Sequence, residues 1–129
     1  MKKNSIIIIS LIILAGLLFT ACPYSSTVPL SSPTIKIDKK LMGKWMVEDS
    51  YSDNPNYFVF STVDGTTFKA EKNEFNTTDE VYEISGTYMC HFTDIGNVRF
   101  ANMNQDGTYY FYKIEIVTND QFKLYEVTD

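Results

Sequence analysis

This sequence contains few of the side chains on which most metal sites and enzyme active sites depend. It has one histidine, His91, one arginine, Arg99, and two cysteines, Cys22 and Cys90. Zinc sites use Cys and His ligands at recognisable spacings, and none of those spacings occurs here. Glycine is scarce, and no glycine belongs to a phosphate-binding loop or a serine nucleophile elbow. The sequence therefore predicts no enzyme, no metal site and no cofactor.

Positive charge is also in short supply, because eleven basic residues face sixteen acidic ones and the formal net charge is −5. Loss of residues 1–21, which is predicted below, would remove two lysines and no acid. The remaining nine basic and sixteen acidic residues give a charge of −7. A protein of this charge repels the phosphate backbone, and a single arginine forms no basic patch, so nucleic acid is excluded as a partner.

The one long hydrophobic run lies at the N-terminus. Lys2 and Lys3 precede an almost wholly apolar stretch over residues 5–19, which is the layout of a secretory signal. Residues 17–22, Leu-Leu-Phe-Thr-Ala-Cys, resemble the lipobox of bacterial lipoproteins. The resemblance implies that residues 1–21 are a signal peptide and that Cys22 is diacylated, which anchors the protein to a membrane of the cell envelope. An uncleaved membrane anchor and plain secretion are the alternatives.

The segment behind this cysteine has the composition of a linker. Residues 22–37 are rich in Ser, Thr and Pro and show no sustained hydrophobic periodicity. This composition predicts a stiff, extended spacer between the lipid and the folded domain. Pro23 follows the cysteine where many lipoproteins of the inner membrane carry Asp, so the resemblance favours the outer membrane in a Gram-negative host.

Aromatic residues are abundant in the rest of the chain. Nine Tyr, nine Phe and one Trp make 15% of the sequence, and all but one of them follow Cys22. Alternating apolar and polar residues, separated by turn residues such as Asp64-Gly65, predict a series of short strands and no long helix. The expected strands are 44–48, 57–62, 67–72, 81–92, 98–101, 108–117 and 121–127. The pattern predicts an all-β fold, a small antiparallel up-and-down barrel or meander of about seven or eight strands.

The longest expected strand also locates the two residues with the most reactive side chains. Cys90 and His91 are neighbours, so a strand projects them from opposite faces and they form no nucleophile–base pair. We expect Cys90 in the core and His91 on the surface. Gly86 in the middle of the strand predicts a bulge or a sharp bend. The face expected to be buried comprises Tyr82, Ile84, Gly86, Tyr88, Cys90 and Phe92.

Residues 102–107, Asn-Met-Asn-Gln-Asp-Gly, begin like a calcium-binding loop, with oxygen ligands at alternate positions and glycine at the sixth. The twelfth position is Lys113, where such a loop requires glutamate. We therefore interpret the segment as a hairpin turn.

Gly43-Lys44-Trp45, which follows a short helical turn predicted over residues 38–42, resembles the Gly-x-Trp signature on the first strand of lipocalins. The likeness covers residues 38–129 and is closest to the small lipocalin-like domains of bacterial lipoproteins. It implies a short barrel whose interior takes a small apolar ligand. The residues expected to line that interior are Trp45, Phe58, Phe60, Tyr88, Phe100, Tyr110, Tyr112 and Phe122.

The same aromatic residues would serve equally well to fill a solid core. The alternative hypothesis is then a non-catalytic accessory module that binds another envelope protein. Such a module would use an open sheet edge or exposed aromatic residues such as Tyr109 and Phe111. An open apolar cavity favours the ligand-binding hypothesis, and a filled core with an exposed aromatic patch favours the accessory module.

Overall fold

The computed structural model of the protein describes residues 24–48 and 52–128. The predicted signal peptide, residues 1–21, and the predicted lipidation site, Cys22, lie outside the described residues. Within the described residues there is one 3-10 turn, Lys39–Leu41, and no helix long and apolar enough to cross a membrane. The strands are β1 (Ser25–Ser26), β2 (Gly43–Met46), β3 (Tyr57–Thr62), β4 (Phe68–Asn76), β5 (Val81–Ile95), β6 (Val98–Gln105), β7 (Thr108–Thr118) and β8 (Gln121–Glu126).

Strands β2 to β8 form an up-and-down meander in which each strand pairs antiparallel with the next. The predicted all-β antiparallel fold is confirmed. In the described part of the chain β2 and β8 share no backbone pairing, so the sheet is not closed. Curvature nevertheless brings the two ends of the sheet together, because the rings of Trp45 on β2 and Phe122 on β8 lie 4.5 Å apart, edge to face.

Short turns with the expected chemistry join the strands. Asp64 Oδ1 accepts hydrogen bonds from the backbone N–H groups of Thr66 and Thr67 in the β3–β4 hairpin. In the β6–β7 hairpin Asp106 and Gly107 have φ values of 52° and 89°, the left-handed conformation that a two-residue turn requires. The predicted hairpin turn is therefore confirmed at Asp106-Gly107, whereas residues 102–105 belong to β6.

The predicted irregularity at Gly86 is confirmed, because the pairing of β4 with β5 shifts between Lys72, opposite Gly86, and Asn73, opposite Ile84. The extra residue on β5 reverses which side chains face inward. The prediction that Tyr82 and Ile84 share the buried face of Cys90 is therefore wrong. Ile84 is 58% exposed, and Tyr82 packs against aromatic rings on the other face of the sheet. Alternation along a strand predicts the face on which a side chain lies only as far as the first bulge.

The core lies on one face of the curved sheet, which we call the inner face. Cys90 and Phe92 of β5 are fully buried in it, as predicted. The 3-10 turn closes one end, since Leu41 is buried and its carbonyl oxygen accepts a hydrogen bond of 2.8 Å from the Trp45 indole N–H. The buried cluster comprises Leu41, Phe60, Phe68, Ala70, Cys90, Phe92, Ala101, Met103 and Ile114.

Residues 24–37, most of the segment predicted to be a spacer, lie against the sheet, and we call them the strap. β8 ends opposite Tyr112, which leaves the edge of β7 open, and β1 pairs there with Tyr109 and Tyr110. At the other end of the strap, the backbone N–H of Ile37 donates to the carbonyl of Gly65. Backbone groups make these contacts, and Ile35 and Ile37 pack against the core beside them. Two isolated apolar residues make no hydrophobic periodicity in the strap.

Between these two ends, buried polar groups hold the strap on the outer face. Asn102 is fully buried and its Oδ1 accepts a hydrogen bond of 2.8 Å from the Leu30 N–H. Ser31 bonds through its hydroxyl to Thr93, at 2.6 Å, and through its carbonyl to His91 Nε2, at 2.7 Å. The expectation that His91 is exposed is therefore wrong: it is on the opposite face from Cys90, as predicted, but the strap covers it.

Candidate ligand-binding cleft

A cleft of about 840 Å³ opens from the inner face to the gap between β2 and β8. Consecutive residues of both strands line it, 45–48 from the β2 side and 121–124 from β8, so the cleft runs along the two unpaired edges. Its wall is chiefly aromatic and aliphatic and comprises Trp45, Phe58, Phe60, Tyr88, Met103, Tyr112, Phe122 and Leu124.

The structure brings together most of the residues predicted to line an interior. They are Trp45, Phe58, Phe60, Tyr88, Tyr112 and Phe122. Phe100 is not among them, because it pairs with Thr93 on the outer face while its neighbours Ala101 and Met103 face inward. Tyr110 pairs with Met103 on the inner face but does not line the cleft.

Ten of the sixteen lining residues were not predicted from the sequence, and three of them, Lys72, Met103 and Leu124, lie on the inner face of the sheet. Leu124 follows Phe122 by two residues on β8, and Lys72 follows Ala70 by two on β4, so strict alternation from a known inward residue would have found both. To predict Met103 as a lining residue, one must know which face of β6 points inward. That choice depends on pairing with β5 and leaves no signal in the sequence of β6 alone.

Aromatic rings form a continuous path from the cleft into the core. Phe122 contacts Trp45 and also Phe60, whose ring centre lies 6.1 Å away. Phe60 in turn packs on Phe58 and Phe68. The Trp45 N–H already donates to Leu41, so the indole offers a bound molecule only its apolar ring. Packed rings of this kind hold an apolar surface in place before a ligand arrives.

Both neutral and charged polar groups line the cleft, and the charged ones are Glu48, Lys72, Asp120 and Lys123. Burial raises the pKa of Tyr112 to about 12, with the negative charge of Glu126 adding to the effect, so its hydroxyl stays protonated. Lys72 forms an ion pair of 2.6 Å with Glu74, whose pKa lies below its usual value because it accepts that hydrogen bond. The cleft thus combines an apolar wall with neutral hydroxyl groups, the paired Lys72 and further charged side chains on its β2 and β8 sides.

Nucleophilic and metal chemistry find no support in the described residues. Burial raises the pKa of Cys90 to about 12, so the thiol stays protonated and unreactive. No described group of three or more His, Cys, Asp or Glu side chains could hold a metal ion. Arg99 is paired with Asp94 through two hydrogen bonds and lies over the Phe92 ring, away from Trp45.

Comparison with protein families, with curated proteins and with solved structures finds no match to this chain.

Proposed function

We propose that this chain is a lipid-anchored protein of the cell envelope whose lipocalin-like domain binds a small apolar molecule in the cleft. The observation that carries the proposal is the aromatic wall around an open volume of about 840 Å³. Small-molecule sites have volumes of roughly 300 to 1,000 Å³ and a mostly apolar lining with a few polar groups. The proposed role is binding and not catalysis.

The cleft also suggests the chemistry of its ligand. A flat or flexible apolar body would fit against Trp45, Phe58 and Phe122. The Tyr112 hydroxyl, which stays protonated, offers the ligand one polar contact. Lys72 is already paired with Glu74, and charged side chains of both signs, Glu48, Asp120 and Lys123, also line the cleft, so the lining does not by itself demand an anionic ligand.

Native mass spectrometry of a form lacking residues 1–22, purified gently from bacteria, tests the proposal. We expect an added mass that disappears on denaturation. Phe58 and Phe100 are both half-buried phenylalanines on strands, but only Phe58 lines the cleft. Phe58→Ala should therefore lose the added mass and Phe100→Ala should keep it. A bare protein, or equal loss in both variants, argues against a ligand in the cleft.

The lipid anchor of the proposal has a separate test. Cys22→Ala should abolish acylation of the full chain, and the wild-type mature N-terminal peptide should begin at residue 22 and carry the mass of acyl chains. An unacylated N-terminal peptide would contradict the lipoprotein proposal without affecting the cleft.

A second candidate function rests on the unpaired edges of β2 and β8. Strand directions alternate along the meander, so these two strands run the same way. One partner strand antiparallel to both would complete an eight-stranded antiparallel barrel. Crosslinking from Lys123, at the β8 edge, to one specific envelope protein would support this candidate. The exposed aromatics expected at Tyr109 and Phe111 do not support it, since Phe111 is buried against Tyr24 and Tyr109 is half-buried.

A further inference from the structure

We propose that the strap is the surface on which the domain rests against the lipid bilayer. The inference depends on the proposed lipidation of Cys22 and adds an orientation to it. The anchored end would not be a spacer, and the domain would lie directly on the membrane with the strap beneath it.

The proposed lipidation site lies close to the folded domain. The backbone N–H of Tyr24 donates to the carbonyl of Val127 at 2.9 Å, and the Tyr24 ring stacks on Phe111 with centres 5.9 Å apart. Tyr24 is thus fixed to the sheet. Cys22 is two residues away, and two peptide units span at most about 7.6 Å between Cα atoms. An acyl chain on Cys22 would therefore enter the bilayer within one side-chain length of the folded domain.

The surface of the strap near the anchor is uncharged and partly apolar. Residues 23–35 contain no charged side chain, although the chain beyond residue 21 has a net charge of −7. Three apolar side chains of the strap are exposed: Tyr24 at 44%, Val28 at 65% and Leu30 at 42%. An anionic bilayer repels acidic surfaces, and apolar and aromatic side chains partition into its interface. The strap combines these favourable properties beside the anchor.

Hydrogen bonds fix the strap in position on the sheet. The hydrogen bonds of Asn102, Thr93 and His91 fix Leu30 and Ser31 to the outer face of β5 and β6. Val28 and Leu30 are therefore carried on the rigid sheet. A rigid surface at a short tether presents one side of the domain to the membrane.

The orientation has a consequence for the cleft. Thr118 and Asp120, which line it, lie at the far end of β7 from Tyr110, the partner of β1. Eight residues of strand separate Tyr110 from Thr118, which is about 26 Å at roughly 3.3 Å per residue. This part of the cleft therefore lies away from the anchor, and we expect a ligand to enter from the aqueous side.

The test compares two valines in the acylated full chain reconstituted into phosphatidylethanolamine–phosphatidylglycerol vesicles. Val28 is on the strap, and Val117, 46% exposed, is next to Thr118 at the end of β7 that lies away from β1. Val28→Cys and Val117→Cys are each labelled with a fluorophore, which the buried Cys90 will not take up. A quencher attached to lipid acyl chains reports contact with the bilayer.

We expect several-fold stronger quenching at Val28→Cys than at Val117→Cys. Equal quenching at the two positions, whether weak or strong, overturns the proposal. Single-tryptophan emission from Trp45 verifies that each labelled variant is folded. The mass of the N-terminal peptide is measured on the same samples. An unacylated Cys22 would remove the lipoprotein proposal and this inference with it, whereas acylation with equal quenching removes this inference alone.

Discussion

Replacement of Asn102 by alanine should detach the strap and destabilise the domain. The Asn102 side chain accepts from the Leu30 N–H and donates to the His91 carbonyl and the Thr93 hydroxyl, at 2.8, 3.2 and 2.9 Å. It is fully buried, so water cannot replace these bonds. At about 1 kcal/mol net for each hydrogen bond, the loss is about 3 kcal/mol. That is a large fraction of the stability of a small domain.

The assay is urea denaturation followed by Trp45 fluorescence, with thermal unfolding by circular dichroism beside it. A loss of about 3 kcal/mol lowers the Tm of a domain of this size by roughly 12 to 24 °C. Asn104→Ala is the matched control, because Asn104 lies on the same strand and its one side-chain hydrogen bond, from the Gly107 N–H, is exposed. That variant should lose less than about 1 kcal/mol. Equal losses in the two variants would refute the reasoning that the buried network holds the strap.

Three further predictions concern the core, the thiol and the response to acid. Leu41→Ala should cost about 2 to 5 kcal/mol in urea denaturation, because it empties a buried site at the closed end of the sheet. A cost no larger than that of Leu30→Ala, at an exposed position, would contradict this packing. Cys90 should resist alkylation at pH 8 in the native state and react in urea, since burial raises its pKa to about 12; fast native labelling would count against it. The hydrogen bond from Arg99 lowers the pKa of Asp94 below 3.8, so the pair adds stability above that pH and loses it as the pH falls through the lowered pKa. Asp94→Asn should flatten this part of the acid-unfolding profile only slightly, because the pair is largely exposed.

The fold class could be predicted because alternation and turn chemistry are local properties. Asp64 stabilises its turn through hydrogen bonds to its own side chain, and Gly107 adopts the left-handed conformation that its turn requires. The facing of Tyr82 could not be predicted, because the bulge near Gly86 becomes visible only in the pairing of β5 with β4.

The residues of the cleft could be predicted where they occupy every second position of a strand and so share one face of it. Phe58, Phe60 and Phe122 share the inward parity of their strands and line the cleft. Phe100 belongs to a strand that carries apolar side chains on both of its faces. Which face points inward is therefore decided by pairing with strands distant in sequence. The strap escaped prediction for a different reason, since backbone groups and buried polar side chains hold much of it and its apolar contacts, Tyr24, Ile35 and Ile37, are too few and too unevenly spaced to make a periodic pattern.

The most direct test of the central claim uses the single tryptophan of the chain, Trp45, which lines the cleft. Bromine quenches indole fluorescence at close contact, so a brominated fatty acid and a brominated naphthalene are titrated against their unbrominated counterparts. Binding in the cleft predicts saturable quenching by at least one brominated probe, retained in Phe100→Ala and lost in Phe58→Ala. No saturable quenching by either probe, or quenching that Phe58→Ala leaves unchanged, would contradict the proposal that the cleft binds small apolar molecules.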